Sequence, residues 1–319
     1  MAKQAKGMKS ITNLAFETTY GTVPSTDAAW YRQPINKNAL TGKKNLIQSN
    51  TITGRRDAVE PAIGQMDASG QLELPMDVRN IGNILKGIFG APTTSAAGEE
   101  GLYKHVFTVG DEIPSLTVEK GFPDISLFYQ YPGTKLNKFS LTAQVGNNET
   151  TYTVDTMAAN EVETKTAAGT TPKSLKLTRF NNFNAAVKEG GTALVTCRKM
   201  QLDINNNLDG DTFCLNGSSV RPSINEGNAE VTGNIETLFT DDTQLKKAME
   251  ATETSLELSF TRDKFSLTFT IPELILEQAT PTIDGPKGVT ATLNYRGYFA
   301  DDEGNSIITV ILINDVESY

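Results

Sequence analysis

Alternating apolar and polar positions are clearest in the last third of the chain, where they predict two β-hairpins. The first hairpin has apolar residues at every second position of both arms, at Leu256, Leu258 and Phe260 and then at Phe265, Leu267, Phe269 and Ile271. Such alternation is typical of strands with one buried face. Pro272 is predicted to end the second arm, because proline has no N–H to donate to a neighbouring strand. The second hairpin has arms at residues 289–299 and 307–313 and a polar turn at residues 301–305.

The first half of the chain contains further strand candidates and the first of two predicted helices. Short segments rich in β-branched and aromatic residues occur at residues 116–119, 125–131, 138–145 and 150–155. Asp77 precedes a segment whose apolar residues share one helical face, namely Ile81, Ile84, Leu85 and Ile88. Asp242 precedes a similar segment that contains Leu245, Ala248 and Met249. Both segments are predicted to be short amphipathic helices that lie over a sheet.

Two pairs of glycines with the same spacing indicate an internal repeat. Gly64 and Gly70 precede the first helix, and Gly227 and Gly233 precede the second. In both copies a strand and an acidic residue follow the second glycine, and a strand beginning with Ser-Leu follows the helix. The match is degenerate, so chance similarity between β-rich segments is the rival explanation. We prefer a true repeat, because order and spacing agree over several elements.

The repeat divides the chain into two predicted β-rich units, residues 1–160 and residues 161–319. The first unit carries an inserted segment, residues 91–111, whose Ala, Thr, Ser and Gly content predicts an exposed and mobile loop. Residues 158–173 have the composition of a linker and fit the boundary between the units. The sequence therefore predicts a mainly β fold in which each unit has one short flanking helix.

Composition and charge narrow the possible functions. The chain has 319 residues, of which 38% are hydrophobic and 21% charged, and these values argue against a disordered chain. A formal net charge of -9 argues against a typical nucleic-acid-binding protein, which needs cations to displace counterions from phosphates. The same acidity suits a surface that DNA must pass without adhering, although simple solubility also explains it. We find no signal sequence and no apolar run of membrane-spanning length, which predicts synthesis in the cytoplasm without a membrane partner.

Residues suited to catalysis, cofactor binding or metal binding are scarce, and we predict no such site and no enzymatic activity. His105 is the only histidine, and it lies in a strand-like segment outside any nucleophile motif. Cys197 and Cys214 are too few for a disulfide scaffold, and whether they pair is left open. Oxygen-bearing side chains alternate at residues 203–211 as in a calcium loop, but the required glycine and glutamate do not fit together.

The densest group of cations consists of Lys43, Lys44, Arg55 and Arg56. No aromatic residues are interleaved with them, so the base-stacking surface of a single-strand-binding protein is missing. We interpret these cations either as a solvated pair of strands or as a subunit interface that faces acidic neighbours.

Several segments resemble phage tail tube proteins, in the same order along the chain. In the first half they are residues 16–22, 63–74, 85–90 and 116–122, with the sequences FETTYGT, IGQMDASGQLEL, LKGIFG and LTVEKGF. In the second half they are residues 205–208, 233–235 and 269–272, with the sequences NNNL, GNI and FTIP. The resemblance spans nearly the whole chain.

The resemblance implies a bacteriophage structural protein located in the virion tail. Each of two tandem units is expected to be a tail-tube-like β-sandwich or half-barrel, and strands of neighbouring copies are expected to form a ring-wide β-barrel. Stacked rings would then form a hollow conduit for DNA during genome ejection. The implied partners are other copies of the chain and the tape measure, tail terminator and baseplate or tip proteins. Rings of this family contain six chains, or three chains with pseudo-sixfold symmetry, and the internal repeat favours three.

A monomeric β-sandwich that acts as a binding module or a capsid-decoration protein is the main alternative, and a hydrolase is a third. Composition does not separate these possibilities. Self-assembly does, because an amphipathic strand at the edge of a sheet must be paired or covered, and a closed ring of subunits removes such edges. A hydrolase would instead need a cleft with paired carboxylates.

Overall fold

The chain is mainly β in a computed structural model that describes residues 4–146, 149–283, 285–299 and 306–319. Two α-helices and three short 3-10 helices accompany the strands in these ranges. The mainly β fold predicted from the alternation of apolar residues is therefore confirmed. The polar turn predicted at residues 301–305 lies outside the described residues. The second predicted hairpin is wrong, because its two arms form strands at residues 290–297 and 309–314 that pair with other strands and, in the described ranges, not with each other.

The strands are numbered in chain order. Those of the first half are β1 (Ile11–Phe16), β2 (Tyr31–Arg32), β3 (Lys37–Asn38), β4 (Thr41–Ile47), β5 (Ala62–Pro75), β6 (Thr93–Ala96), β7 (Tyr103–Thr108), β8 (Leu116–Phe122), β9 (Leu127–Gln144), β10 (Thr151–Ala158) and β11 (Val162–Thr164). Those of the second half are β12 (Lys173–Ser174), β13 (Ala185–Glu189), β14 (Thr192–Ala193), β15 (Cys197–Asn205), β16 (Glu230–Leu238), β17 (Thr254–Arg262), β18 (Phe265–Leu276), β19 (Thr290–Gly297) and β20 (Thr309–Asn314).

Both predicted helices are present, α1 at Ile81–Phe89 and α2 at Thr243–Met249. Asp77 starts α1 as expected, because its carboxylate accepts hydrogen bonds from the backbone N–H groups of Arg79, Asn80 and Ile81. These donors would otherwise have no partner within the helix. α1 is almost entirely buried and contacts β9, whereas α2 is only partly buried and contacts β18.

In the first half, four antiparallel strands form a sheet in the order β4–β5–β10–β9. The 18-residue strand β9 bends out of this sheet, and its N-terminal part pairs with β8 and β11 in a second layer. β8 pairs in turn with β1. One long strand thus belongs to both layers.

The second half has the same order of pairing, β15–β16–β19–β18. The 12-residue strand β18 also bends, and its N-terminal part pairs with β17 and β20. β17 pairs with β13, as β8 does with β1. In pairing order, β15, β16, β19 and β18 therefore occupy the places of β4, β5, β10 and β9.

The two halves share strand pairings and a core. Among the described residues, β9 pairs with β15, β7 with β20 and β2 with β12, so that three strand pairings cross between the halves. Buried apolar residues from both halves form one cluster, in which the rings of Phe139 and Phe269 lie 5.9 Å apart between centroids. The sheet is not closed, because in the described residues β4 pairs only with β5 and has no strand on its outer side.

The prediction that Pro272 ends a strand is wrong. β18 continues through Pro272 to Leu276, and its register with β17 shifts at this point. β9 likewise continues through Pro132 and Gly133, where its register with β8 shifts and Gly133 has a φ of 64°. A bulge leaves one residue outside the hydrogen-bond ladder, so a proline is tolerated there. Both prolines therefore mark the bends at which a strand passes from one layer to the other.

The expectation of an exposed loop at residues 91–111 is wrong for part of that segment. β6 and β7 form a hairpin, and β6 is exposed. β7 pairs with β20 of the second half and buries His105 and Phe107. Non-local pairing of this kind leaves no signal in the local composition. Residues 158–173, whose composition is that of a linker, include β11 and bury Ala158, Ala159 and Ala168.

Candidate assembly surface

The pairing of β9 with β15, which we call the internal joint, shows how one sheet edge of this chain accepts another. Leu141 of β9 lies opposite Leu202 of β15, and both are buried. Lys138 lies opposite Asn205, and its Nζ is 3.6 Å from Oδ2 of Asp203. The joint therefore combines apolar contacts on the core side with a pair of opposite charges on the other side.

The loop at residues 206–229, which joins β15 to β16, folds over the internal joint. Its apolar residues Leu208 and Ile224 are 9% and 1% exposed. They form a small cluster with Ile113, Tyr20 and Met157 of the first half. The loop of the second half is thus anchored on the surface of the first half by apolar burial.

Arg221 anchors the same loop by polar contacts. Its guanidinium donates to the backbone oxygens of Gly210 and Ala158 at 2.7 and 3.1 Å. It also donates to Oδ1 of Asp67 on β5 at 2.7 Å. A nearly buried guanidinium is stabilised by such a set of acceptors, because its planar fork can reach several of them at once.

Glu226 provides a further anchor. Its Oε1 accepts the backbone N–H of Ile113 at 3.0 Å and the ammonium of Lys135 at 2.6 Å. Burial acts to raise the pKa of Glu226, but these hydrogen bonds outweigh it and hold the pKa below the usual value. The charged carboxylate is therefore the form that ties the loop to the first half.

One outer edge of the sheet is β4. It carries Lys43 and Lys44, followed by Leu46 and Ile47, whose exposed fractions are 68% and 57%. Residues 48–61, which join β4 to β5, are largely exposed. An open strand edge with exposed apolar residues is a ready site for pairing with another chain.

Sequence reasoning found the four cations but not their arrangement. Lys43 and Lys44 lie on the open strand β4, whereas Arg55 and Arg56 lie in the exposed loop that follows. Arg55 forms an exposed ion pair with Asp57, at 2.7 Å. The exposed apolar residues beside the lysines were missed, although two apolar residues at the end of a charged strand are a signal that could have been used.

In the series of strands that runs from β4 through the internal joint to β18, the other outer edge lies at the end of β18. Ile275 and Leu276 pair with β19 on one side, and no strand of the described ranges lies on their other side. The chain continues in extended form to Glu277, whose N–H donates to the carbonyl of Asn294 on β19 at 2.8 Å. Residues 277–280 are exposed. This edge was also missed, because Pro272 was expected to end the strand.

One face of the sheet between these edges is polar, and we call it the polar sheet face. Its charged residues alternate with buried ones along β5, β10, β9, β15, β16 and β19, and they are Asp67, Glu73, Asp155, Lys138, Lys199, Asp203, Glu230, Glu236 and Arg296. Most of the remaining side chains are Ser, Thr, Asn or Gln. Lys138 and Arg296 lie 3.6 and 3.5 Å from carboxylate oxygens of Asp203 and Glu230 on neighbouring strands.

The contacts of the His105 ring indicate a structural role. It is buried, with its ring nitrogens at hydrogen-bond distance from the Thr94 hydroxyl and the Val316 carbonyl. Its ring packs edge-on against Tyr319, with 4.8 Å between the centroids. Burial lowers the pKa of His105, so the neutral form is favoured. These contacts occupy both nitrogens that general acid or base catalysis would use.

The remaining candidates for chemistry are dispersed. Cys197 and Cys214 are free thiols, and burial raises the pKa of Cys197 to about 11. In the calcium-like segment, Asn205 donates to Asn207, and Asp209 forms an isolated bridge with Asn225. The part of the chain that the structure describes contains no group of three His, Cys, Asp or Glu residues positioned to hold a metal ion.

Two open sheet edges, an internal joint and a polar face describe a subunit that is built to continue its sheet. A family model described as phage tail tube protein matches residues 9–297. The chain belongs to the phage tail tube protein family. The match confirms the resemblance drawn from the segments of both halves. A search of curated proteins found no match.

Membership in the phage tail tube family gives the general role. The family is one of structural tail proteins and not an enzyme family. Such a protein is a tail tube component of the virion and assembles with copies of itself and other tail proteins into a tube. No helix among the described residues is long and apolar enough to span a membrane.

Proposed function

We propose that the chain is the repeating subunit of a hollow tail tube through which DNA passes during genome ejection into the host. Three chains form each ring, and each chain contributes two tandem units, residues 1–160 and 161–319. The rings stack into the tube, which contacts a tape measure protein within it and terminator and baseplate or tip proteins at its ends.

The observation that carries this proposal is the repeated order of strand pairing in one open sheet. β4–β5–β10–β9 continues through the internal joint into β15–β16–β19–β18, so the second set of strands extends the first. Further copies can extend the sheet in the same way, because among the described residues no strand lies on the outer side of β4 or of the end of β18. On β4, the Gly42 N–H donates to the Glu161 carboxylate at 2.8 Å. Cyclic symmetry closes such a head-to-tail series without leaving an edge. The family resemblance implies six similar units in a ring, and at two units per chain such a ring contains three chains.

The balance of charges on the polar sheet face supports placing this face on the lumen side of the tube. Carboxylates outnumber cations on this face, and two of its cations, Lys138 and Arg296, are paired with acids. Phosphates are attracted to unpaired Lys and Arg, so a surface with few of them allows DNA to slide. The opposite face of the sheet packs into the apolar core and cannot line a channel.

Electron microscopy of the purified protein, with a tail-initiating complex added where needed, tests the ring. We expect rings and tubes, and a ring mass measured in solution that equals three chains. Rings of six chains would contradict the two-unit interpretation. A discrete monomer under all salt and protein concentrations, with the initiating complex present, would favour a binding or capsid-decoration protein instead.

Charge reversal on the polar sheet face tests the conduit. Phage that carry Asp155→Lys with Glu236→Lys are expected to assemble tails but to release DNA more slowly on triggering, because the added cations attract phosphates. Glu99→Lys, at the exposed tip of the β6–β7 hairpin, is the matched control and should leave release unchanged. Unchanged release by the double variant would show that this face does not line the channel.

A further inference from the structure

The internal joint offers a residue-level template for contacts between chains. If the second set of strands extends the first, then β4 of a neighbouring copy should extend the edge at β18 in the same manner. The two contacts can be compared position by position, because the same pairing order fixes which residues correspond. This comparison rests on the ring proposed above and adds the identity of the contacting residues.

The repeat identifies which residue of β4 corresponds to the β15 residue that faces Lys138. Gly70 of β5 corresponds to Gly233 of β16 in the sequence repeat. Lys43 of β4 and Asn205 of β15 each lie opposite the residue three positions before the respective glycine. Lys43 therefore corresponds to Asn205, the residue that faces Lys138 across the internal joint.

The pairings of β10 and β19 identify which residue at the end of β18 corresponds to Lys138 of β9. Lys138 lies opposite Asp155 of β10, and Asp155 faces the residue that follows Gly70. Asn294 of β19 faces the residue that follows Gly233, and its carbonyl accepts the N–H of Glu277. Glu277 therefore corresponds to Lys138.

We infer that β4 of one copy pairs antiparallel with the segment that begins at Glu277 of the next copy, with Lys43 opposite Glu277. Side chains directly opposite each other in a sheet are close enough for opposite charges to attract and for like charges to repel. The inferred contact brings a lysine to a glutamate. It also gives Lys43, one of the four clustered cations, the acidic neighbour that the subunit-interface interpretation of the sequence required.

The charges also favour the correct partner. At the internal joint the β9 edge presents Lys138, so β4 of another copy would place Lys43 against a second lysine if it displaced β15. The same strand meets Glu277 at the outer edge. Repulsion at the wrong edge and attraction at the right one together give specificity, which a general affinity of open edges would not.

An exposed apolar residue of β4, Leu46, supports the same contact. Leu208 lies three residues after Asn205 and is 9% exposed, because it packs on the preceding half of the same chain. Leu46 lies three residues after Lys43, at the corresponding place, and is 68% exposed. The neighbouring copy would supply the surface that Leu46 lacks in a single chain.

Disulfide trapping tests the inferred pair. Lys43→Cys and Glu277→Cys are combined in a chain that also carries Cys197→Ala and Cys214→Ser, and assembled tubes are mildly oxidised. We expect covalent oligomers that end at the trimer, because residues opposite each other in a sheet have the Cα separation that a disulfide needs. Lys44→Cys with Glu277→Cys is the matched control, since neighbouring residues of a strand point to opposite faces.

Charge reversal gives a second measurement on the same pair. Lys43→Glu is expected to raise the protein concentration needed for assembly by about fivefold, and adding Glu277→Lys should restore it. Tubes that form normally but show neither the cross-link nor the charge effect would overturn the inferred contact and leave the tube function intact. Failure of the unmodified chain to form any ring or tube would instead refute the proposed function, and this contact with it.

Discussion

The ring of Tyr319 fills the space beside Gly82 of α1. A Cβ placed on Gly82 would lie 2.1 Å from Cζ of Tyr319, closer than any two such atoms can approach. The Tyr319 hydroxyl donates to the carbonyl of Arg79 at 2.6 Å, and it accepts from the side chain of Asn314 at 2.6 Å. The residues after β20 are thereby held against the start of α1.

Gly82→Ala is expected to lower the free energy of unfolding by about 1–3 kcal/mol, because the added methyl group must displace the Tyr319 ring or shift α1. Urea denaturation of the unassembled chain measures this difference. Gly288→Ala is the control, because a Cβ there meets no atom within 4 Å and should change stability by less than about 0.5 kcal/mol. An equal, small effect of both substitutions would contradict the close packing of Tyr319.

Asn206 is expected to matter for stability because it connects three elements. Its side-chain amide donates to the carbonyl of Ile88, in the last turn of α1, and to the carbonyl of Leu136 on β9, both at 3.1 Å. Asn206→Ala leaves these two carbonyls without that donor and should cost about 1–3 kcal/mol of unfolding free energy. Thermal and urea unfolding measure the loss.

The exposed Asn228 provides the control for this experiment. Asn228→Ala should be nearly neutral, because its effect is limited to a solvated side chain. Comparable losses for Asn206→Ala and Asn228→Ala would show that the amide of Asn206 does not support the end of α1.

Local signals in the sequence predicted the strands and helices well. Alternation identified both arms of the β17–β18 hairpin, and Asp77 marked the start of α1 because its carboxylate caps the helix. Local signals did not predict that prolines would lie inside β9 and β18. A bulge tolerates a proline only where the tertiary structure bends the strand, so the outcome depends on contacts that the local sequence does not contain.

Non-local contacts explain what remained unpredicted in the candidate site. The β4 edge is recognisable from its lysines, but the Glu277 edge is apparent only when β18 is seen to pair with β19. His105 was correctly placed in a strand, yet its burial depends on β20 and on Tyr319, more than two hundred residues later. Long-range pairing of this kind leaves no periodic signal in one segment.

The anchor formed by Glu226 predicts acid sensitivity of the 206–229 loop. The pKa of Glu226 is lowered in the folded chain, so its contribution to stability is present above its ordinary value of 4.5 and is lost as pH falls through the folded pKa. Glu226→Gln should therefore cost on the order of 1 kcal/mol at pH 7. The difference from the unmodified chain should shrink below pH 4.5.

Unfolding in urea at a series of pH values measures this convergence. Glu60→Gln, at an exposed position, is the control and should follow the unmodified chain at every pH. A gap between Glu226→Gln and the unmodified chain that stayed constant from neutral to acidic pH would mean that the charge of Glu226 does not anchor the loop.

Trp30 reports on residues 158–173 through its fluorescence. It is the only tryptophan, is 2% exposed, and packs with Ala15 and Ala168. A Cβ placed on Gly169 would lie 2.6 Å from Cγ of Trp30, so Gly169→Ala should push the two segments apart. We expect a red-shifted emission in the folded state and a free energy of unfolding lowered by about 1–3 kcal/mol, because overpacking admits water to the indole.

Gly7→Ala, where a Cβ meets no atom within 4 Å, is the control and should leave the emission unchanged. An unshifted spectrum for Gly169→Ala would mean that this segment does not cover Trp30 in solution.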